Sequence, residues 1–343
     1  MKYIILLSLL IITGTQTQAK VWRINSNIGV TADFDQGAAA ISSLSVVNGD
    51  TLYFEPSTNN YQGFTLSKRL VLIGTGYFLS GTNGNPGLQA DPTGAYFGNA
   101  TILLDSTGSG STLMGLNSIN IGIGPNLGSA TDNITVTRCY IGNIGQYYGY
   151  TANTKMTGWV INKCYISSFG FNSQVLENWQ ITNNIINSSA SLGNSGNFNL
   201  LIRNNVIRSS VDLYSAYFSN NIVTFNLNTT YMVNTTIKNN ISTGNNLPAG
   251  NGNLNGQSDA ALFQGLTGNS TDGQWRLKPG SAAIGAGETI AGITPDCGAF
   301  GTADPYVLSG IPAIPAIYAL TVPASVPSNA TSMQITISTR SNN

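Results

Sequence analysis

Two groups of side chains in this sequence have the type and spacing to do chemistry. Arg138 and Lys163 each precede a cysteine, Cys139 and Cys164, and the stretch between those cysteines carries Tyr147, Tyr148 and Tyr150. Tyrosines on a loop stack on sugar rings and bond hydroxyls through their phenols, while a guanidinium and an ammonium on adjacent segments can read the carboxylates of acidic sugars. Carbohydrate contact is the chemistry these residues point to. The plainer alternatives are tyrosines packed on their own loop and cations that merely solvate a strand face. Catalysis has thinner support, because the chain has no histidine and its only glutamates are Glu55, Glu177 and Glu288. Glycoside hydrolysis needs two carboxylates facing one another across the substrate, yet Asp212 is the sole acid between Asn178 and Asn255. No spacing of Cys, Asp or Glu suggests a metal site, and no cofactor is expected.

The segments that would position these residues share one pattern: an aliphatic or aromatic residue, two spacers, a Cys or Asn, one more residue and an aliphatic. Val136–Cys139–Ile141, Ile161–Cys164–Ile166, Ile181–Asn184–Ile186 and Ile202–Asn205–Ile207 fit it, with looser copies at Phe218–Asn221–Val223 and Ile237–Asn240. Successive anchors are separated by 25, 20, 21, 16 and 19 residues, which matches one coil of a parallel β-solenoid and no helical period. Coils stack at about 4.8 Å, so equivalent positions form columns of like side chains. Val136, Ile161, Ile181, Ile202, Phe218 and Ile237 form an inner apolar column. A second column of Ile134, Trp159, Trp179 and Leu200 makes the tryptophans core residues. At the anchors, Asn184, Asn205, Asn221 and Asn240 form an asparagine ladder, since Asn suits a sharp bend and its amide can bond the amides above and below.

Cys139 and Cys164 occupy the anchor column one coil apart, close enough for a disulfide; the alternative is two small buried thiols, with Cys297 a third. The residue after each anchor reads Tyr140, Tyr165, Ile185, Val206, Ile222 and Ile241. Strict alternation turns this column outward, and an apolar stripe of that length requires cover. Loops and the C-terminal tail, a partner or a glycan could supply it.

Charged residues are 8% of the chain and cancel, which excludes a nucleic-acid partner. Outside the N-terminus no apolar run approaches the length of a membrane span. Lys2, the apolar run from Tyr3 to Ile12 and Thr17-Gln18-Ala19 read as a secretory signal cleaved after Ala19. The expected location is therefore extracellular or at the cell surface, with the periplasm as the alternative. Residues 306–343 carry Pro312, Pro315, Pro323 and Pro327 and two alternating segments that suit a hairpin. They are expected to be a cap, a strand pair along the solenoid or an assembly tail.

Asn48-Gly49-Asp50-Thr51-Leu52-Tyr53-Phe54, Tyr61 and Lys68-Arg69-Leu70-Val71-Leu72-Ile73-Gly74 resemble the first coils of right-handed parallel β-helix proteins of the pectin-lyase-like superfamily, particularly secreted bacterial β-helix repeat proteins. Leu277 to Gly287, followed by Asp296-Cys297-Gly298-Ala299-Phe300, resembles their closing motif, with Gly285 in place of the usual Asp and Cys297 in place of an aliphatic. The resemblance implies an all-β, right-handed parallel β-helix over 20–305. It also implies that any active member would be a polysaccharide lyase or glycosidase. With so few ionisable groups, the expectation here is instead an extracellular structural or binding module without catalytic machinery. Its expected partner is a polysaccharide, with self-association through the apolar column or the tail as a further expectation.

Overall fold

The computed structural model of the chain describes residues 19–123, 130–145, 154–171, 174–188, 190–225, 227 and 232–342. The expected signal, apart from Ala19, and the tyrosines at 147, 148 and 150 lie outside the described residues. The chain is a β-solenoid. Ten parallel strands make the first sheet, from Val21–Ile24 and Thr51–Phe54 through Val160–Asn162 to Thr236–Lys238. Twelve make the second, from Phe64–Leu66 to Ile241–Ser242. Among the described residues, helix is confined to short turns such as Gly37–Ser42 and Asp259–Leu262.

The repeat is observed in the register expected from sequence. Val136, Ile161, Ile181, Ile202, Phe218 and Ile237 are direct partners on successive strands and are all buried. At about 1.5–3 kcal/mol per buried side chain before entropy is subtracted, such columns are the main cohesive term between coils. Trp159 and Trp179 are stacked face to face at 4.6 Å, fully buried.

Each strand of the first sheet in this region is a short straight run between two left-handed residues five positions apart. The pairs are Asn133 and Arg138, Gly158 and Lys163, Asn178 and Asn183, Asn199 and Asn204, Ser215 and Asn220, and Asn234 and Asn239, with φ between 51° and 73°. Asn tolerates this conformation best among residues with a Cβ, which accounts for its abundance. The bend therefore falls one residue before each anchor, and this corrects the expectation that the anchor Asn itself turns the chain.

The anchors bond the coils together instead. Asn184, Asn205, Asn221 and Asn240 are fully buried. The Oδ1 of each accepts from the backbone N–H of the anchor below: Cys164 to Asn184 at 2.9 Å, Asn184 to Asn205 at 2.9 Å, Asn205 to Asn221 at 3.0 Å and Asn221 to Asn240 at 2.9 Å. Asn253, outside the repeat pattern, continues the ladder by accepting from the Asn240 N–H at 3.0 Å. Cys139 and Cys164 hold the lower rungs as buried thiols that do not bridge. Each thiol has backbone carbonyl acceptors, Cys139 at Thr137 (3.3 Å) and Cys164 at Asn162 (3.2 Å). Of the two alternatives for this pair, the structure has the thiols.

The apolar column after the anchors is not exposed. Tyr165, Ile185, Val206, Ile222 and Ile241 are buried in a second apolar cluster with Leu262, Phe263, Trp275, Ala283, Cys297, Ala299 and Tyr306. These covering residues belong to a strap that leaves the last coil and runs back along the outside of the solenoid. The segment resembling a closing motif lies within it: the N–H of Gly298 donates to the Asn220 carbonyl at 2.9 Å. A Cβ at Gly298 would sit 2.8 Å from Ile222 Cδ1, at a φ of +89°. Only glycine permits that approach. Beyond the strap, Ala316–Thr321 and Thr336–Arg340 pair antiparallel as a separate hairpin.

Candidate functional site

The left-handed column does more than turn the chain. The left-handed residue immediately before each anchor holds the strap at the matching level. Asn239 Nδ2 donates to the Ala286 carbonyl at 3.1 Å, and Asn220 Oδ1 accepts from the Glu288 N–H at 2.8 Å. Asn204 Nδ2 donates to the Asp296 carbonyl at 2.9 Å, and Asn183 Nδ2 to the Ala299 carbonyl at 3.1 Å and Thr302 Oγ1 at 2.9 Å. Lys163 pairs with Asp304, and Arg138 Nη1 donates at 2.8 Å to the carbonyls of both Ile311 and Asn342. Over five strand spacings, roughly 24 Å, the strap is thus fastened once per coil.

This corrects the reading of Arg138 and Lys163 as an open basic patch. Both are 6% exposed, and both are committed to the strap. Tyr165 is buried as well, and Tyr140 is half-buried beside it at 5.5 Å between ring centroids. They pack with Tyr77 and Phe78 under the strap rather than on an open surface. Burial pushes the Tyr165 phenol up. Tyr77 and Tyr306 share a 2.5 Å hydrogen bond at the centre of this cluster. The buried Asp272 carboxylate accepts there from Tyr306 at 3.3 Å, from the Ser309 N–H at 2.7 Å and from Ser270 at 2.9 Å. This is cohesive chemistry that closes the strap onto the coil.

A cavity of about 380 Å³ opens where the strap crosses the outer face of the first sheet. Its floor is the outward column two residues before the anchors: Asn162, Thr182 and Arg203, one from each of three consecutive strands. Its far wall is the strap, with Asp304 and Thr302 at one end and Glu288, Ile290, Ile293 and Pro295 at the other. Ile290 and Ile293 exchange both backbone hydrogen bonds in a tight turn, and they remain 48% and 72% exposed. The wall is thus an aliphatic edge standing beside a polar floor.

Glu288 fixes that edge. Its carboxylate accepts from Lys238 Nζ at 2.8 Å, from Tyr217 Oη at 2.8 and 2.9 Å and from Arg203 Nη2 at 3.1 Å. Partial burial alone would raise its pKa, but the bonds from Lys238 and Tyr217 together with the Arg203 charge outweigh it and hold the carboxyl below its ordinary value. A carboxyl held ionised in this way cannot serve as a general acid near neutral pH; it serves as a bolt for the strap. Asn162 Oδ1, at the floor, is buried without a hydrogen-bond partner. Among the described residues, no three Cys, Asp or Glu side chains converge as a metal-ligand set.

The floor residues were legible as an outward column of the repeat, although nothing in the sequence singled them out. Glu288, Ile290 and Ile293 lie in a segment about 50 residues beyond the last coil and carry no local signal. No protein-family model matches the chain, and no curated protein matches it in sequence.

Proposed function

We propose that the protein is an extracellular binding module that holds a carbohydrate chain in the cavity between the first sheet and the strap. One observation carries the reading: a polar floor of Asn162, Thr182 and Arg203 faces an exposed aliphatic edge of Ile290 and Ile293 across about 380 Å³. Sugars have the matching amphipathy, with C–H faces that pack on aliphatic or aromatic surface and hydroxyl rims that need donors and acceptors. The volume lies at the small end of ligand sites and suits one or two sugar rings of a longer chain. Asn162 Oδ1 is an acceptor lacking a donor, a deficit costing about 1–3 kcal/mol, which a sugar hydroxyl would relieve after a small rotation of the amide. Arg203 reaches Glu288 through Nη2 alone and keeps donors for a ligand oxygen. The tyrosines at 147, 148 and 150 are proposed as a further carbohydrate contact. The leader-like N-terminus supports secretion, and no helix among the described residues is long and apolar enough to cross a membrane.

The test is retention of the purified chain on immobilised neutral and acidic polysaccharides, with glycan length measured after incubation. Retention with intact glycans, weakened about tenfold or more by Thr182→Val with Ile293→Ser, is the expected result; two lost contacts at about 0.7 kcal/mol or more each reach that factor. Retention unaffected by those changes would move the site elsewhere. Shortened glycans would replace the reading with a lyase or glycosidase.

A further inference from the structure

The hairpin beyond the strap is amphipathic in an unusual sense. Leu320 faces Ile337 and Ile317 faces Thr339 across the pair, so Ile317, Leu320 and Ile337 share one face, while Ala319, Ser338, Thr321 and Thr336 supply the other. The large apolar residues of 317–337 are each 37–56% exposed, although the Ile317 and Leu320 side also borders a cleft of about 390 Å³ against Tyr53 and Gln89 of the first coils. The hairpin touches the solenoid lightly: Ile317 accepts from the Ala90 N–H at 2.8 Å, and Arg340 Nη2 donates to the Leu88 carbonyl at 2.8 Å. Its other edge, along Thr336–Arg340, has no neighbouring strand among the described residues.

A two-stranded sheet with apolar side chains in water and an open edge is marginal by itself and is completed by a further strand. Natural sheets guard such edges with charge, yet between residues 306 and 343 Arg340 is the only charged residue, and it is turned back onto Leu88 and the Tyr318 ring. We infer that Thr336–Arg340 pairs antiparallel with the same strand of a second copy of this chain, giving a two-fold dimer with a continuous four-stranded sheet.

Three features select a second copy over another occupant. An antiparallel strand edge is complementary to itself about a two-fold axis, as an isologous interface requires. The uncharged edge offers nothing to attract a charged partner and nothing to repel its own copy. The large apolar residues of 317–337 are left 37–56% exposed, apolar surface that a second copy of the same composition can cover.

The experiment is sedimentation equilibrium of the purified chain from 1 to 100 μM. A monomer–dimer equilibrium is expected, weakened at least tenfold by Ile337→Lys, which sets like charges across the shared edge, and unchanged by Leu44→Lys at a fully exposed site elsewhere. Ser338→Cys, near the expected two-fold, should cross-link copies under mild oxidation, whereas the buried native thiols should not. A monomer throughout that range overturns the inference, and so does a dimer indifferent to Ile337→Lys. If the wild type is monomeric and Ile337→Lys lowers glycan retention instead, the hairpin is a ligand surface and the dimer is refuted. The glycan reading of the cavity stands or falls separately, because none of these residues lines it.

Discussion

Replacing Asn205 with alanine tests whether the buried ladder or the apolar columns alone hold the coils in register. Asn205 is fully buried; its Nδ2 donates to the Ile181 carbonyl at 2.8 Å and to Asn221 Oδ1 at 3.0 Å, and its Oδ1 accepts from the N–H and Nδ2 of Asn184 at 2.9 and 3.0 Å. Truncation leaves the Asn184 N–H without its partner in a site closed to water, while the Ile181 carbonyl stays within the parallel ladder of Gln180–Thr182 with Leu201–Arg203. Asn184 Nδ2 keeps the Ile161 carbonyl, and Asn221 Oδ1 keeps the Asn205 N–H. One stranded backbone N–H at about 1–3 kcal/mol, together with the lost side-chain bonds, gives an expected loss of about 2 kcal/mol. Urea unfolding followed by the fluorescence of the buried Trp159 and Trp179 measures it. The exposed Asn143→Ala should stay within about 0.5 kcal/mol of wild type. A loss at Asn205 below about 1 kcal/mol would refute the ladder as a cohesive element and leave apolar packing as the sole source of register.

Further expectations concern the strap and the thiols. Because the Glu288 carboxyl is held below its ordinary value in the folded chain, its contribution is present above the unfolded carboxyl range and lost as pH falls through the folded value; hydrogen-exchange protection of the strap, measured relative to the intrinsic rate at each pH, should fall on acidification, and Glu288→Gln should flatten that dependence. Gly298→Ala should loosen the strap by about 1–3 kcal/mol through overpacking on Ile222 and an unfavourable left-handed Ala, read as increased proteolysis of 286–312. Burial pushes the Cys297 thiol up to about 12 and the Cys164 thiol well above its usual range. The native chain should therefore resist thiol-specific reagents that modify all three cysteines after denaturation, and fast native labelling would contradict the packing.

What the sequence by itself determined is whatever repeats at short range. A column exists because the same residue type recurs once per coil, so the inner aliphatic stack, the paired tryptophans and the asparagine ladder could all be read from spacing. The bend was displaced by one position because Asn occupies both the left-handed site and the anchor, as in Asn183-Asn184 and Asn204-Asn205. Residue type alone does not tell those roles apart. The fate of Arg138, Lys163 and the apolar column was decided only by tertiary structure. Whether a side chain one step from an anchor meets water or protein depends on a strap 47 to 173 residues away, which shares no period with the repeat and returns past the coils it left. The cavity has the same origin, since its floor comes from three consecutive coils and its edge from that returning segment. Local pattern can specify a surface, whereas a cleft needs two surfaces brought together by contacts that no local pattern encodes.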